Sequence, residues 1–352
     1  HGRLTHLQSA HRSSRSGELL GLDPQALQHR YKQVRQRIII VLVKGQMLAM
    51  MRDDILRAFD RMRVWQRGDQ RAVHKPLLVL FALARVGAGD TATIDWNEAE
   101  PRLKSLLDEF GPNGSGISRH HPFWHLQTDG LWRLAGPPDI LSRPPSATPT
   151  LGELRANHVR GGFPPALHTA LMRDPELLAT VAQRIVDAHF PESIRADVLA
   201  AVGLPAHLTE ATSTPEQLRR RDPAFWEKVL LAYQYRCGVC GHNLRLGHQP
   251  IGLEAAHIKW FQANGPDVVP NGIALCSLHH KVFDLGAFTI LPRSYQMVFS
   301  QHLNGSDESA EKILAYHGAS LVLPQSSDYM PQTEFLDWHR KEVFKSPERS
   351  PR

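Results

Sequence analysis

Three cysteines and one histidine constrain this chain more than any other feature. All three cysteines of its 352 residues lie between Tyr235 and Asp284. Cys237 and Cys240 form a C-x2-C pair, and Cys276 opens a C-x2-H half-site closed by His279. Two half-sites of this kind, far apart in sequence, have the ligand spacing of a tetrahedral structural zinc. With every cysteine assigned to the metal there is no disulfide framework, which suits a reducing compartment.

Between the half-sites, Ile251 to Ile258 mixes apolar and polar residues at strand length, after a turn-like Gly-His-Gln-Pro. Asn271-Gly272 reads as a turn before an apolar, helix-like run from Ile273 to Phe283. His279 and His280 are neighbours on that helix and point about 100° apart, so one can join Cys276 on zinc while the other faces a second site. His257, Asn271 and His280, in that order and threaded through the knuckle, resemble the HNH endonuclease family. The resemblance implies a ββα-metal finger. It makes His257 the general base, Asn271 the residue that orients it, and His280 a ligand of the catalytic divalent ion, Mg²⁺, Mn²⁺ or another. Hydrolysis of a phosphodiester needs little more than such a base, a cation for the developing charge, and positioning. Many HNH enzymes carry an acidic metal ligand just before the base. Here that position is Ala256, so Glu254 or a ligand elsewhere has to substitute.

The length suits two domains. A formal charge of +6 and a pI near 9.3 suit a polyanionic partner. The apolar run Ile38 to Val43 ends at Lys44 and is too short to cross a membrane. Residues 1–50 read as a partly ordered appendage. Helices are expected over Leu77 to Val86, with Pro76 in the first turn, and over Trp96 to Phe110. Phe123 to Gln127 and Leu131 to Leu134 read as a hairpin about Asp129-Gly130. A helix is expected over Leu151 to Val159, then a rigid Gly-Gly-Phe-Pro-Pro turn, then helices from Ala166 and from the Asp174-Pro175 cap.

Four segments of this half, HKPLLVLFALARV, HHPFWHLQTDGLWRL, GGFPPALHTALMRDPELL and VDAHFPESI, resemble the sulfur-binding domain of type IV restriction endonucleases. That family reads phosphorothioated double-stranded DNA and pairs the reader with an HNH nuclease, in this order. Sulfur in place of a phosphate oxygen keeps the charge but is softer and less hydrated. A selective pocket therefore offers apolar wall rather than another donor. Phe163 and Pro164 can supply that wall, and Arg119, His120 and His121 are candidate contacts to phosphates and bases.

The expected fold is α+β: a mainly helical sulfur-binding-type reader over 51–205, a linker over 206–223 containing Arg219, Arg220 and Arg221, and a C-terminal ββα-metal, zinc-containing HNH domain over 224–345. Residues 346–352 read as a disordered tail. The expected function is a modification-dependent endonuclease, with a structural Zn²⁺, a catalytic divalent ion and phosphorothioated duplex as partner. The resemblance implies the bacterial cytosol, excludes a membrane partner and admits a homodimer. Two alternatives stay open: an HNH nuclease that reads a methylated base or no mark, and a zinc-containing DNA-binding protein without cleavage.

Overall fold

The reader is built around helix α1 (His74–Gly87), whose sequence HKPLLVLFALARVG is apolar on nearly every side. A helix of that kind has to be central, and ten of its residues, from Pro76 to Val86, are buried. Around it pack α2 (Trp96–Phe110), α3 (His120–His125), α4 (Pro165–Arg173), α5 (Pro175–His189) and α6 (Glu192–Val202). α2 begins where the Asp95 side chain accepts from the Asn97 amide at 2.9 Å, and it buries Leu103, Leu106, Leu107 and Phe110. α5 is capped by Asp174, which accepts from the Leu177 amide at 2.8 Å, with Pro175 in its first turn. This computed structural model describes residues 51–64, 69–70, 73–114, 119–144, 146–205, 222, 224–306 and 308–350. The expected appendage over 1–50 and the linker arginines lie outside that set, as does most of the linker.

The expected hairpin at Phe123 is not formed. Phe123 and Trp124 are adjacent and both buried, which the face-to-face alternation of a half-buried strand does not allow. The segment is instead α3 followed by a 3-10 turn, Leu126–Asp129. Strand β2 (Arg133–Ala135) pairs with β3 (Arg160–Gly162), and β1 (Ile94–Asp95) lies on the other side of β3, all antiparallel. Gly161-Gly162, expected in a turn, thus ends the central strand. A Cβ on Gly162 would fall 1.8 Å from the Ala92 carbonyl oxygen. The helix expected to reach Val159 stops at Ala156, because His158 takes a left-handed φ of 46° that leads into β3.

In the C-terminal half, α7 (Phe225–Ala232) lies against the antiparallel pair β4 (Leu253–His257) and β5 (Gly272–Cys276), which α8 (Ser277–Asp284) follows. The register runs from Leu253 opposite Cys276 to His257 opposite Gly272. Ile273 to Cys276, expected as helix, is therefore strand. Helix begins only at Ser277, after the extended cap residue Cys276. Gly272 lets α7 approach: a Cβ there would sit 2.4 Å from Val229 Cγ2. Strands β6 (Phe288–Ile290) and β7 (Met297–Phe299) and helix α9 (Thr333–Glu342) complete this half.

Residues of the expected tail up to 350 make backbone hydrogen bonds to the strand region. The Gln301 amide donates to the Pro347 carbonyl at 3.0 Å and the Arg349 amide to the Phe299 carbonyl at 2.7 Å, so the chain runs beside β7. The described residues from Ile55 onward form one compact unit. Trp260, Trp338 and Val343 of the C-terminal half lie in the same buried cluster as the helices of the reader. Helix α6 packs on α8, and Lys345 Nζ donates to the Asp108 and Gly111 carbonyls at 2.9 and 2.7 Å. Among the described residues no helix is long and apolar enough to cross a membrane.

Candidate active site and metal centre

The knuckle closes as its spacing predicts. Cys237 and Cys240 sit on a turn held by the Cys237 amide on the His242 carbonyl and by the Gly238 amide on the Ala274 carbonyl. Cys276 ends β5, and His279 lies in the first turn of α8. The four ligand atoms lie within 4.8 Å of one another and could hold a metal ion. Cys240 and Cys276 place their sulfurs 4.0 Å apart, and His279 Nδ1 lies 3.1 Å from Cys276 and 3.7 Å from Cys237. A tetrahedral ion with bonds of about 2.3 Å sets its sulfurs about 3.8 Å apart, so the donor set fits. With a proton shared between Cys237 and Cys276, the Cys237 thiol is lowered and that of Cys276 is pushed up to about 11. A cation in their midst removes that conflict.

The other face of β4–β5 and α8 borders a cleft of about 920 Å³. His257, at the end of β4, lines it, as do Glu254, Asp267 and His280. The His257 ring stacks on Phe225 of α7 at 4.2 Å between centroids and 20° between planes. Its Nε2 meets Asp267 Oδ1 at 2.7 Å, and the Asp222 amide donates to the other Asp267 oxygen at 2.7 Å. Asn271 is fully buried and does not reach the His257 ring. Its Oδ1 accepts from the Lys259 amide at 2.8 Å, and its Nδ2 donates to the Lys259 and Pro266 carbonyls at 3.0 and 2.9 Å. It clamps the loop that carries Asp267, so its effect on His257 runs through that loop.

His280 stands between two carboxylates. Its Nδ1 lies 2.6 Å from Glu254 Oε2 and its Nε2 lies 3.1 Å from Asp284 Oδ2. Burial works against a charged ring here, but Asp284 and Glu254 outweigh it and push His280 up to about 10. Glu254 is drawn down chiefly by its bond to His280. Ala256, at the position of the usual acidic ligand, is fully buried in the core. Asp267 and Asp284 were missed from the sequence. The only available signal for Asp284 was its place one turn after His280, at i+4 on the same helix.

In the reader, the five predicted contact residues differ in burial and in partners. Phe163 is buried, edge-on to Trp132 at 5.8 Å and to Phe59 at 5.9 Å. Pro164 is half-buried at the start of α4, with Pro165 and Ala166 exposed beside it. The Arg119 guanidinium lies on the buried carboxylate of Glu100, at 3.1 Å through Nε and 2.6 Å through Nη2, and Arg155 shares that carboxylate. Burial alone would raise Glu100, but Arg155 and Arg119 outweigh it and hold it low. The His120 and His121 rings are 4.4 Å apart. Desolvation, then repulsion from His121 and Arg119, lowers His120 to about 4, and desolvation lowers His121. Both are therefore neutral at pH 7. Arg133, exposed on β2 opposite Gly162, is a cation that sequence reasoning overlooked.

Comparison with known proteins follows the same division. Residues 52–207 match the ScoMcrA-like DNA sulfur-binding domain family, and residues 237–291 match an HNH endonuclease family. Among solved structures, the chain is similar to the sulfur-binding domain of ScoMcrA complexed with phosphorothioated DNA, at 24% identity over 44% of this chain and 96% of that one, with a TM-score of 0.39. It is similar to the corresponding complex of SprMcrA at 22% identity over 44% and 94%, with a TM-score of 0.37. The type IV phosphorothioation-dependent restriction endonuclease ScoMcrA matches at 24% identity over 44% of this chain and 28% of its own length, with a TM-score of 0.37. No curated protein sequence matches. Residues 52–207 thus belong to the ScoMcrA-like DNA sulfur-binding domains and residues 237–291 to the HNH endonucleases, and the chain has the make-up of a modification-dependent endonuclease.

Proposed function

We propose that this chain binds phosphorothioated duplex DNA through its N-terminal half and hydrolyses a phosphodiester bond at the cleft lined by His257 and His280. The observation that carries the reading is the pair of polar contacts there: His257 held by Asp267, and His280 beside Glu254. Asp267 accepts a hydrogen bond from His257 Nε2–H and so keeps the proton on that nitrogen, which leaves Nδ1 as the atom that accepts a proton from water. Asn271 holds the loop that keeps Asp267 in place. Glu254 and His280 would hold Mg²⁺ or Mn²⁺, with Glu254 taking the part that Ala256 cannot play. A divalent ion there would supply positive charge toward the scissile phosphate and the leaving oxygen. To serve as a ligand, His280 must shed the proton that its two carboxylates favour, so occupancy rises with pH. Zn²⁺ at Cys237, Cys240, Cys276 and His279 has the structural role.

For the mark, the wall is Pro164 with the exposed Pro165 and Ala166, and Phe163 supports them from beneath. Sulfur loses little hydration against such a wall, whereas oxygen would lose water without a replacement. His120 and His121 act as neutral hydrogen-bonding groups, Arg119 anchors the start of α3 through Glu100, and Arg133 supplies charge toward phosphate. A DNA-cutting restriction enzyme of this kind works in the cytoplasm.

The reading is tested by incubating the same plasmid, with and without phosphorothioation, with the protein and Mn²⁺. Cleavage confined to the modified plasmid is expected; equal cleavage of both would sink the modification dependence. Pro164→Gly should weaken binding to phosphorothioated duplex far more than to plain duplex. Equal weakening on both, in a binding titration, would leave the loop with a structural role only.

A further inference from the structure

We infer that Ser193, a residue of the reader, positions the metal-binding histidine of the nuclease. The inference rests on the reading that His280 and Glu254 hold the catalytic ion. Asp284 is buried, and its two oxygens are both engaged. Oδ1 accepts from Trp260 Nε1 at 2.9 Å. Oδ2 accepts from Ser193 Oγ and faces His280 Nε2 at 3.1 Å. A carboxylate free to turn could offer His280 either oxygen at a range of angles. Trp260 on one oxygen and Ser193 on the other leave it one orientation.

Both donors depend on the reader. Ser193 lies in the first turn of α6, and Trp260 is buried within the reader's core cluster. The line of contact therefore runs from α6 through Asp284 to the Nε2 side of the imidazole, which leaves Nδ1 on the side of Glu254. Partners of this outer kind set the ring orientation and basicity of a metal-binding histidine, and their loss typically weakens metal affinity 10–100-fold. A second contact, Lys281 Nζ to Asp197 at 2.9 Å, ties the same two helices together without touching Asp284. Docking of the helices and the orientation of Asp284 can thus be separated by mutation.

The test is a Mn²⁺ titration of the zinc-loaded full chain, following free Mn²⁺ by electron paramagnetic resonance. Ser193→Ala should bind Mn²⁺ about tenfold more weakly, with unchanged affinity for phosphorothioated duplex. Ser193→Thr keeps a hydroxyl and should retain near-normal Mn²⁺ affinity, and Lys281→Ala should as well. His280→Ala should weaken Mn²⁺ binding far more than Ser193→Ala does, since it removes a proposed ligand and leaves only Glu254. If His280→Ala loses Mn²⁺ but Ser193→Ala binds it as the wild type does, the serine only packs and the inference is overturned while the metal assignment stands. If Ser193→Thr or Lys281→Ala is as weak as Ser193→Ala, the effect comes from packing or undocking, and the inference again fails. Normal Mn²⁺ binding by His280→Ala would remove the metal assignment and this inference with it.

Discussion

His257→Ala is expected to lower the single-turnover cleavage rate of phosphorothioated duplex by about 10²–10⁴-fold, the usual contribution of a general base, with DNA affinity unchanged. Affinity should survive because none of the DNA-contacting residues proposed above lines the cleft. Asp267→Asn should fall in the same direction by less, since the histidine remains but the group that fixes its proton on Nε2 does not. Asn271→Ala should match Asp267→Asn in rate and also melt earlier, because three hydrogen bonds of the 259–266 loop go with it. His280→Ala should fail in another way, through poor metal occupancy, and excess Mn²⁺ should partly rescue it. A wild-type rate in His257→Ala at saturating Mn²⁺ would exclude the HNH mechanism for this protein.

Cys240→Ala is expected to unfold the C-terminal half. A structural zinc is worth on the order of 10 kcal/mol in small domains, comparable with the whole stability of a typical domain, about 5–15 kcal/mol. Here the ion would join the knuckle to the junction of β5 and α8, the helix that carries His280 and the strand that pairs with that of His257. The damage should spread further than a two-domain sequence suggests. Trp260 and Trp338, 6.1 Å apart between ring centroids, lie in the core of the reader, so its melting temperature should drop as well. Zinc content by atomic absorption and a thermal melt decide the matter: full zinc and an unchanged melt would refute the assignment.

Much of the site was legible in the residues because its constraints are local. C-x2-C and C-x2-H give ligand geometry directly, and adjacent His279 and His280 must face different ways on a helix. The helices of the reader followed from apolar spacing and from the cap at Asp174, as over Trp96–Phe110, α5 and the apolar α1. What escaped was whatever tertiary contact decides. Ile273 to Leu275 has an apolar run that suits a buried strand and a buried helix equally, and pairing with β4 selects the strand. Gly161-Gly162 reads as a turn until Ala92 is found against it. Asp267, ten residues after His257, is one of many acidic residues on paper, and only loop closure by Asn271 brings it to the ring. Arg119 reads on paper as a cation for DNA, and only the fold brings Glu100, nineteen positions away on another helix, against its guanidinium.

The shared core around Trp260 and Trp338 has a geometric consequence. A nuclease hung from its reader on a loose strand would sweep a volume, and the span between the recognised sulfur and the broken bond would scatter with the contour of that strand. Here α6 packs on α8, and Lys345 is pinned to the end of α2, so the two working surfaces are faces of one solid. With the mark read and the bond cut at the surfaces proposed above, the protein would act as a gauge: the interval along the duplex from mark to nick would be set by packed side chains, and lengthening the segment between residues 205 and 222 would leave it unaltered.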